Sequence, residues 1–94
     1  MIRVVIERTL SREGDEEIQR AMRELRREAI QQPGYVSGET LRDTANLHHF
    51  VILSTWRSPE EWAAWANSGR RREVEERIRA ISIEPERITV CEIV

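Results

Sequence analysis

The chain opens on an alternation of apolar and polar positions. Residues 3–10 are rich in β-branched side chains and read as a strand, with Ile2, Val4 and Ile6 on one face. Residues 11–14 form a short turn, and from Asp15 the period changes. Ile18, Ala21, Met22, Leu25 and Ala29 then recur at helical spacing, with Asp15, Glu16 and Glu17 in a first turn where the helix dipole favours acids. Arg20, Arg23, Arg26 and Arg27 alternate with Glu24 and Glu28 on the outer side. That is the pattern of a solvated face with pairs four residues apart, not of a binding patch. Pro33-Gly34 stops the helix.

Residues 35–43 read as a second strand, Thr44-Ala45-Asn46 as a hairpin turn and residues 47–56 as a third strand. The third carries Phe50 and Ile52 on one face and Val51 and Leu53 on the other, so both faces need cover. Ser58-Pro59-Glu60-Glu61 then supplies an N-cap serine, a proline at the first helical position and a glutamate placed for a capping box. Trp62, Trp65 and Ala66 form the inward stripe of a short helix that Asn67-Ser68-Gly69 breaks. A further helix has Val74, Ile78 and Ile81 as its spine and Arg70, Arg71 and Arg72 at its start; Pro85 closes it, and residues 87–94 read as a last strand. The order β-α-β-β-α-β predicts an α+β ferredoxin-like sandwich, one sheet with helices on one side.

Composition narrows the function. At roughly 100–200 residues per domain, the 94 residues allow one domain, residues 1–94. A chain this short completes its core by pairing, so two open sheet faces packed together predict a homodimer with a barrel-like centre. With 15 basic and 17 acidic residues the net charge is -2, which gives no grip on nucleic acid or an anionic membrane. Every basic residue is Arg, so Schiff-base lysines and phosphate-loop lysines are excluded. Cys91 is the only cysteine, which removes disulfides and thiolate zinc cages; it reads as a small core residue. Charge interrupts the first residues too early for a signal peptide, and no apolar run approaches the ~20 residues of a membrane span. A cytoplasmic location is expected.

Two stretches carry a resemblance. They are Pro33-Gly34-Tyr35-Val36-Ser37-Gly38-Glu39-Thr40-Leu41-Arg42 and the run from Leu53-Ser54-Thr55-Trp56-Arg57-Ser58-Pro59-Glu60-Glu61-Trp62 through Trp65 to Ser68. With them the chain resembles the antibiotic biosynthesis monooxygenase family from end to end. The resemblance implies a dimeric α+β barrel with a pocket between sheet and helices in each protomer. It also implies, for one branch, oxygenation of aromatic polyketides or quinols without flavin, metal or heme, so no cofactor is expected. A second branch binds and degrades heme, using a strand asparagine and a helix histidine. Here those positions hold Glu7 and Glu75, which removes the imidazole ligand. Other members have no established activity, so a non-catalytic dimeric module that holds a small ligand is one alternative; a heme-binding or heme-degrading protein, disfavoured by Glu7 and Glu75, is the other.

Cofactor-free oxygenation requires a protein to deprotonate an electron-rich substrate, hold it flat and stabilise the anion. Trp65, on the inward stripe and at the family's pocket position, is the candidate wall; Trp56 and Trp62 read as structural. His48 and His49 are candidate bases, since histidine ordinarily titrates near neutral pH, but as strand neighbours they point to opposite faces and cannot share one metal. Glu7 and Glu39 are strand carboxylates that could serve as base if buried, with Arg8 and Arg42 as alternative ion partners. Arg42 could hold a substrate oxyanion. Asn67 could hydrogen-bond substrate, or simply end a helix.

Overall fold

The computed structural model describes residues 1–11 and 16–94. The opening alternation becomes β1, Ile2–Thr9, which buries Ile2, Val4, Ile6 and Arg8 on one side. There follow α1 (Glu16–Ile30), β2 (Tyr35–Arg42), β3 (His49–Trp56), α2 (Pro59–Ala66), α3 (Gly69–Arg79) and β4 (Arg87–Glu92). The strands form one antiparallel sheet in the order β2-β3-β1-β4. β3 inserts between the two strands that α1 connects, which is the split βαβ arrangement of the ferredoxin-like fold.

All three helices lie on one side of this sheet, over two apolar clusters. One gathers Ile2, Val4, Ile6, Trp56, Trp62 and Trp65. The other gathers Leu10, Ile18, Ala21, Phe50, Val74 and Ile78. Leu25 of α1 and Ile52 of β3 touch both, so the clusters meet beneath the middle of α1.

Local chemistry sets the joints. Gly34 lies between α1 and β2 at φ 88°, a conformation that costs any side chain, and a Cβ there would strike Glu61. Ser58 caps α2 by accepting the Glu61 N–H at 3.2 Å, with Pro59 as first helical residue. Ser68 does more than break α2: it caps α3, accepting the N–H of Arg71 at 3.2 Å. Gly38 leaves room for the ring of Tyr35, whose Oη would lie 2.5 Å from an added Cβ.

Several expectations are corrected. Leu10 is joined by an isolated bridge to Ser82 and is not part of β1. α3 ends at Arg79, so Ile81 packs on the core from beyond it, and β4 ends at Glu92. Cys91 is exposed, not a core residue; its partner Arg3 lies on the helix-free face. The acids of α1 pair with the neighbouring helix: Arg70 reaches Glu24 at 2.6 Å and Glu28 at 3.3 Å, and Arg77 reaches Glu24 at 2.7 Å. The helix-free face does carry Val5, Val51, Leu53 and Leu41, yet Glu7, Glu39 and His49 interrupt it. The turn over residues 12–14 and the acid at Asp15 lie outside the described residues.

Candidate functional site

Where the two clusters meet, the side chains fail to fill the space between sheet and helices. A cavity of about 70 Å³ remains. Tyr35, Trp56, Trp62 and Trp65 wall it on one side, while Met22 and Leu25 of α1 close it from above. The aromatic wall is keyed edge to face. Tyr35 meets Trp56 at 5.4 Å and 88°, and Trp56 meets Trp62 at 5.7 Å and 65°. Trp56 donates its indole N–H to Ser54 Oγ at 3.0 Å, which fixes the ring plane.

The other end of the cavity is charged. Arg8 sits at the inward phase of β1, after Ile6, and forks onto Glu75 of α3 with bonds of 2.6 and 2.8 Å. Its Nη1 also reaches Glu86, in the loop before β4, at 2.7 Å. Arg71, one turn before Glu75, lies with its guanidinium 5.5 Å from the Trp62 ring centre. Its Nη2 is 3.1 Å from Glu75 Oε1, yet is too poorly aligned to make a hydrogen bond and is left buried without one. Burial opposes the charge of Arg8, but the bond and field of Glu75, with Glu86 behind it, outweigh this and raise its pKa. Burial likewise pushes the Glu75 carboxyl up, but Arg8 and then Arg71 pull it below the usual carboxylate range. Glu86 is raised, by burial first and then by the charge of Glu75 working against the pull of Arg8. Arg71 is lowered, chiefly by burial. The cluster therefore sets two arginines against two carboxylates, of which Glu75 is the more firmly ionised.

A wider groove of about 300 Å³ adjoins the cavity. Met22, Arg26 and Thr40 line both spaces. Arg26 spans the gap from α1 to β2 and donates to the carbonyl of Gly38 at 3.2 Å. An enclosed apolar cavity of ~150 Å³ is the scale that admits benzene. An aromatic occupant therefore needs this partition to open.

Of the residues marked from sequence, the structure brings Trp65 to the cavity lining; Glu39 borders it too, but its register opposite Leu53 turns its side chain to the helix-free face. Trp56 and Trp62 join Trp65 there, so they are wall as well as core. Arg42 lies in the outer groove, 4.9 Å from the centre of the Phe50 ring. Glu7 points to the helix-free face, where its Oε1 lies 3.5 Å from His49 Nε2; neither Arg8 nor Arg42 is its partner. The other nitrogen of His49 faces Asp43 Oδ2 at 3.1 Å. His48 precedes β3 and is half-buried without lining the cavity. Asn67 donates its side-chain amide to Ala63 at 2.9 Å, ending its own helix. Arg8, Tyr35 and Arg71 were not singled out as site residues, although two carried a signal. Arg8 continues the inward alternation of Ile2, Val4 and Ile6, and Arg71 falls three residues before Val74 on the inward stripe of α3. A charge at a core phase asks for a partner or a ligand.

A profile of the antibiotic biosynthesis monooxygenase family matches residues 1–77, from β1 through most of α3. The chain belongs to that family. Among solved structures, an antibiotic biosynthesis monooxygenase superposes with a TM-score of 0.91 at 17% identity, covering 100% of this chain and 99% of its own. A conserved protein from Methanosarcina mazei Go1 superposes at 0.87 with 17% identity, covering 95% of this chain and 88% of its own. SnoaB, a cofactor-independent oxygenase from Streptomyces nogalater, superposes at 0.87 with 15% identity, covering 99% of this chain and 92% of its own. No curated protein is significantly similar in sequence. At such identities the structural likeness establishes the fold. Against the family's heme-degrading branch, Glu75 has both oxygens engaged by Arg8 and Glu7 lies on the opposite face of the sheet, so neither residue is set to hold a heme.

Proposed function

We propose that the chain is a cofactor-independent monooxygenase for a small aromatic, polyketide-like or quinol substrate. The observation that carries the reading is a cavity with an aromatic wall and a charged end that includes two arginines, in a chain of this family. The likeness to SnoaB supports it. With an anthrone-like substrate, a ring methylene becomes a carbonyl in such a reaction. The substrate supplies the electrons, one atom of dioxygen enters the carbonyl and the other leaves as water with the two methylene hydrogens. The tryptophans would hold the ring plane, and an arginine at the charged end would favour the ionised substrate over its neutral form. Oxygen consumption with a panel of hydroquinones and anthrones tests this. Uptake matched one-to-one by carbonyl product supports it, and no uptake above the spontaneous rate with any panel member removes the catalytic reading.

A second reading, a non-catalytic module that holds the same kind of ligand, rests on the shortage of a free base. Neither histidine lines the cavity, and Glu75 is held ionised with both oxygens bonded to Arg8. Ligand binding without oxygen uptake is its signature. For either function we propose one domain over residues 1–94, in the cytoplasm, that pairs as a homodimer. Val51 and Leu53 on the helix-free face and exposed Ile83, Ile88, Val90 and Ile93 around β4 support the pairing. No helix among the described residues is long and apolar enough to cross a membrane.

A further inference from the structure

We propose that the cavity selects an anionic aromatic ligand and that Arg71 is the residue that selects it, its guanidinium receiving the oxyanion while the ring lies along the tryptophans. The inference rests on the reading of the cavity as the ligand site, and it names the substrate class that site prefers. Three observations on the same side chain carry it. Arg71 lines the cavity while only 7% exposed. Its Nη2 is buried with no hydrogen bond, although Glu75 is near enough to supply one if the alignment allowed. Its stem is held from both ends, since Ser68 accepts its backbone N–H and Trp62 underlies its guanidinium.

The contrast with Arg8 shows why Arg71 is the ligand-facing cation. Arg8 and Arg71 share one buried carboxylate, Glu75, and Arg8 takes both of its oxygens. Glu86 adds a further bond to Arg8 and none to Arg71. Arg8 thus spends both of its Nη atoms on carboxylates and has only its Nε buried without a bond, whereas Arg71, at the same cavity, has a terminal Nη2 buried without one. A neutral ring would leave that donor unmet. A phenolate or enolate oxygen meets it with a charge-assisted bond, stronger because water is excluded.

A matched pair of probes separates this from simple hydrophobic filling. Benzoate, whose carboxylate stands in for the oxyanion, and neutral benzamide are titrated against the full chain, followed by quenching of indole emission from the cavity tryptophans. The wild type should bind benzoate roughly ten to a hundred times more tightly than benzamide, the range of one charge-assisted bond. Arg71→Met should lose that preference and keep its affinity for benzamide. Equal binding of both probes by the wild type, or a preference undiminished in Arg71→Met, overturns the assignment while leaving the cavity as a binding site. No response to either probe removes the cavity reading and this inference with it. Should Arg71→Met fail to fold, Arg71→Lys serves instead. It keeps the charge and loses the planar fork, so benzoate affinity should fall severalfold with benzamide unchanged, and an unaltered benzoate affinity overturns the proposal.

Discussion

Glu75 is the residue on which the charged end of the cavity turns. It is 3% exposed and compensates two buried cations, so Glu75→Gln leaves Arg8 with Glu86 alone and Arg71 with no carboxylate in contact. Breaking a buried pair from one side costs about 3 kcal/mol or more, read from denaturant midpoints at neutral pH. Because the folded carboxyl is depressed, its contribution is complete above the ordinary glutamate range and is lost as pH falls through the lower folded value. The gap between wild type and Glu75→Gln should therefore close in acid. Glu86 has the opposite sign. Its raised carboxyl favours folding below its unfolded value and loses that contribution as pH rises through the folded one, so Glu86→Gln should leave neutral-pH stability unchanged or higher. Trp65 separates wall from core in the same manner. Trp65→Phe keeps an aromatic face and should cost about 1–2 kcal/mol for the contraction. If the indole also faces ligand, affinity or turnover falls further than the melting curve explains; early melting with full activity per folded molecule would remove Trp65 from the site.

At the scale of elements, much was legible because the signals are local. Ile2, Val4 and Ile6 announce β1 by alternation, and Ser58 with Pro59 announces α2 by cap chemistry. That cap is a measurable prediction: Ser58→Ala should lose about 1 kcal/mol, and Ser58→Asp, which restores an acceptor, should recover most of it. What remained illegible depends on which distant elements touch. The Arg8–Glu75 bond spans 67 residues and exists only because α3 crosses β1. Nothing in the neighbourhood of Glu7 discloses that its side chain faces away from the helices towards His49, because alternation says which residues share a face and not which face is covered. The histidines drew attention by type alone, and type does not place a side chain. Asn67 shows the same limit, since its residue type suits a ligand and its position at the end of α2 gives it a carbonyl instead.

For the molecule as a whole, the sheet is covered on one side only. Val51 and Leu53 of the central β3 are half-buried on the bare side, and β4 is exposed along its whole length, with Ile88 and Val90, paired with Ile6 and Val4, uncovered on the helix side. Light scattering at micromolar concentration should give a two-chain particle, and Leu53→Asp, a charge on the bare face, should shift it towards a single chain. A wild type that scatters as one chain and unfolds cooperatively would leave the bare face without a proposed cover.

The unfilled space where the two apolar clusters meet has a consequence for how this protein can be studied. Its lining forgoes dispersion contacts that a solid core would have, and any molecule that completes the packing repays them only in the folded state. A correct occupant must then displace the unfolding equilibrium by mass action, whether or not it is turned over: at a hundred times its dissociation constant the gain is about 2.7 kcal/mol, roughly 11–22 °C in melting temperature for a chain of this size. Melting the protein against a library of flat phenols and naphthols would rank candidate ligands with no knowledge of the reaction. The packing defect thus becomes the reporter.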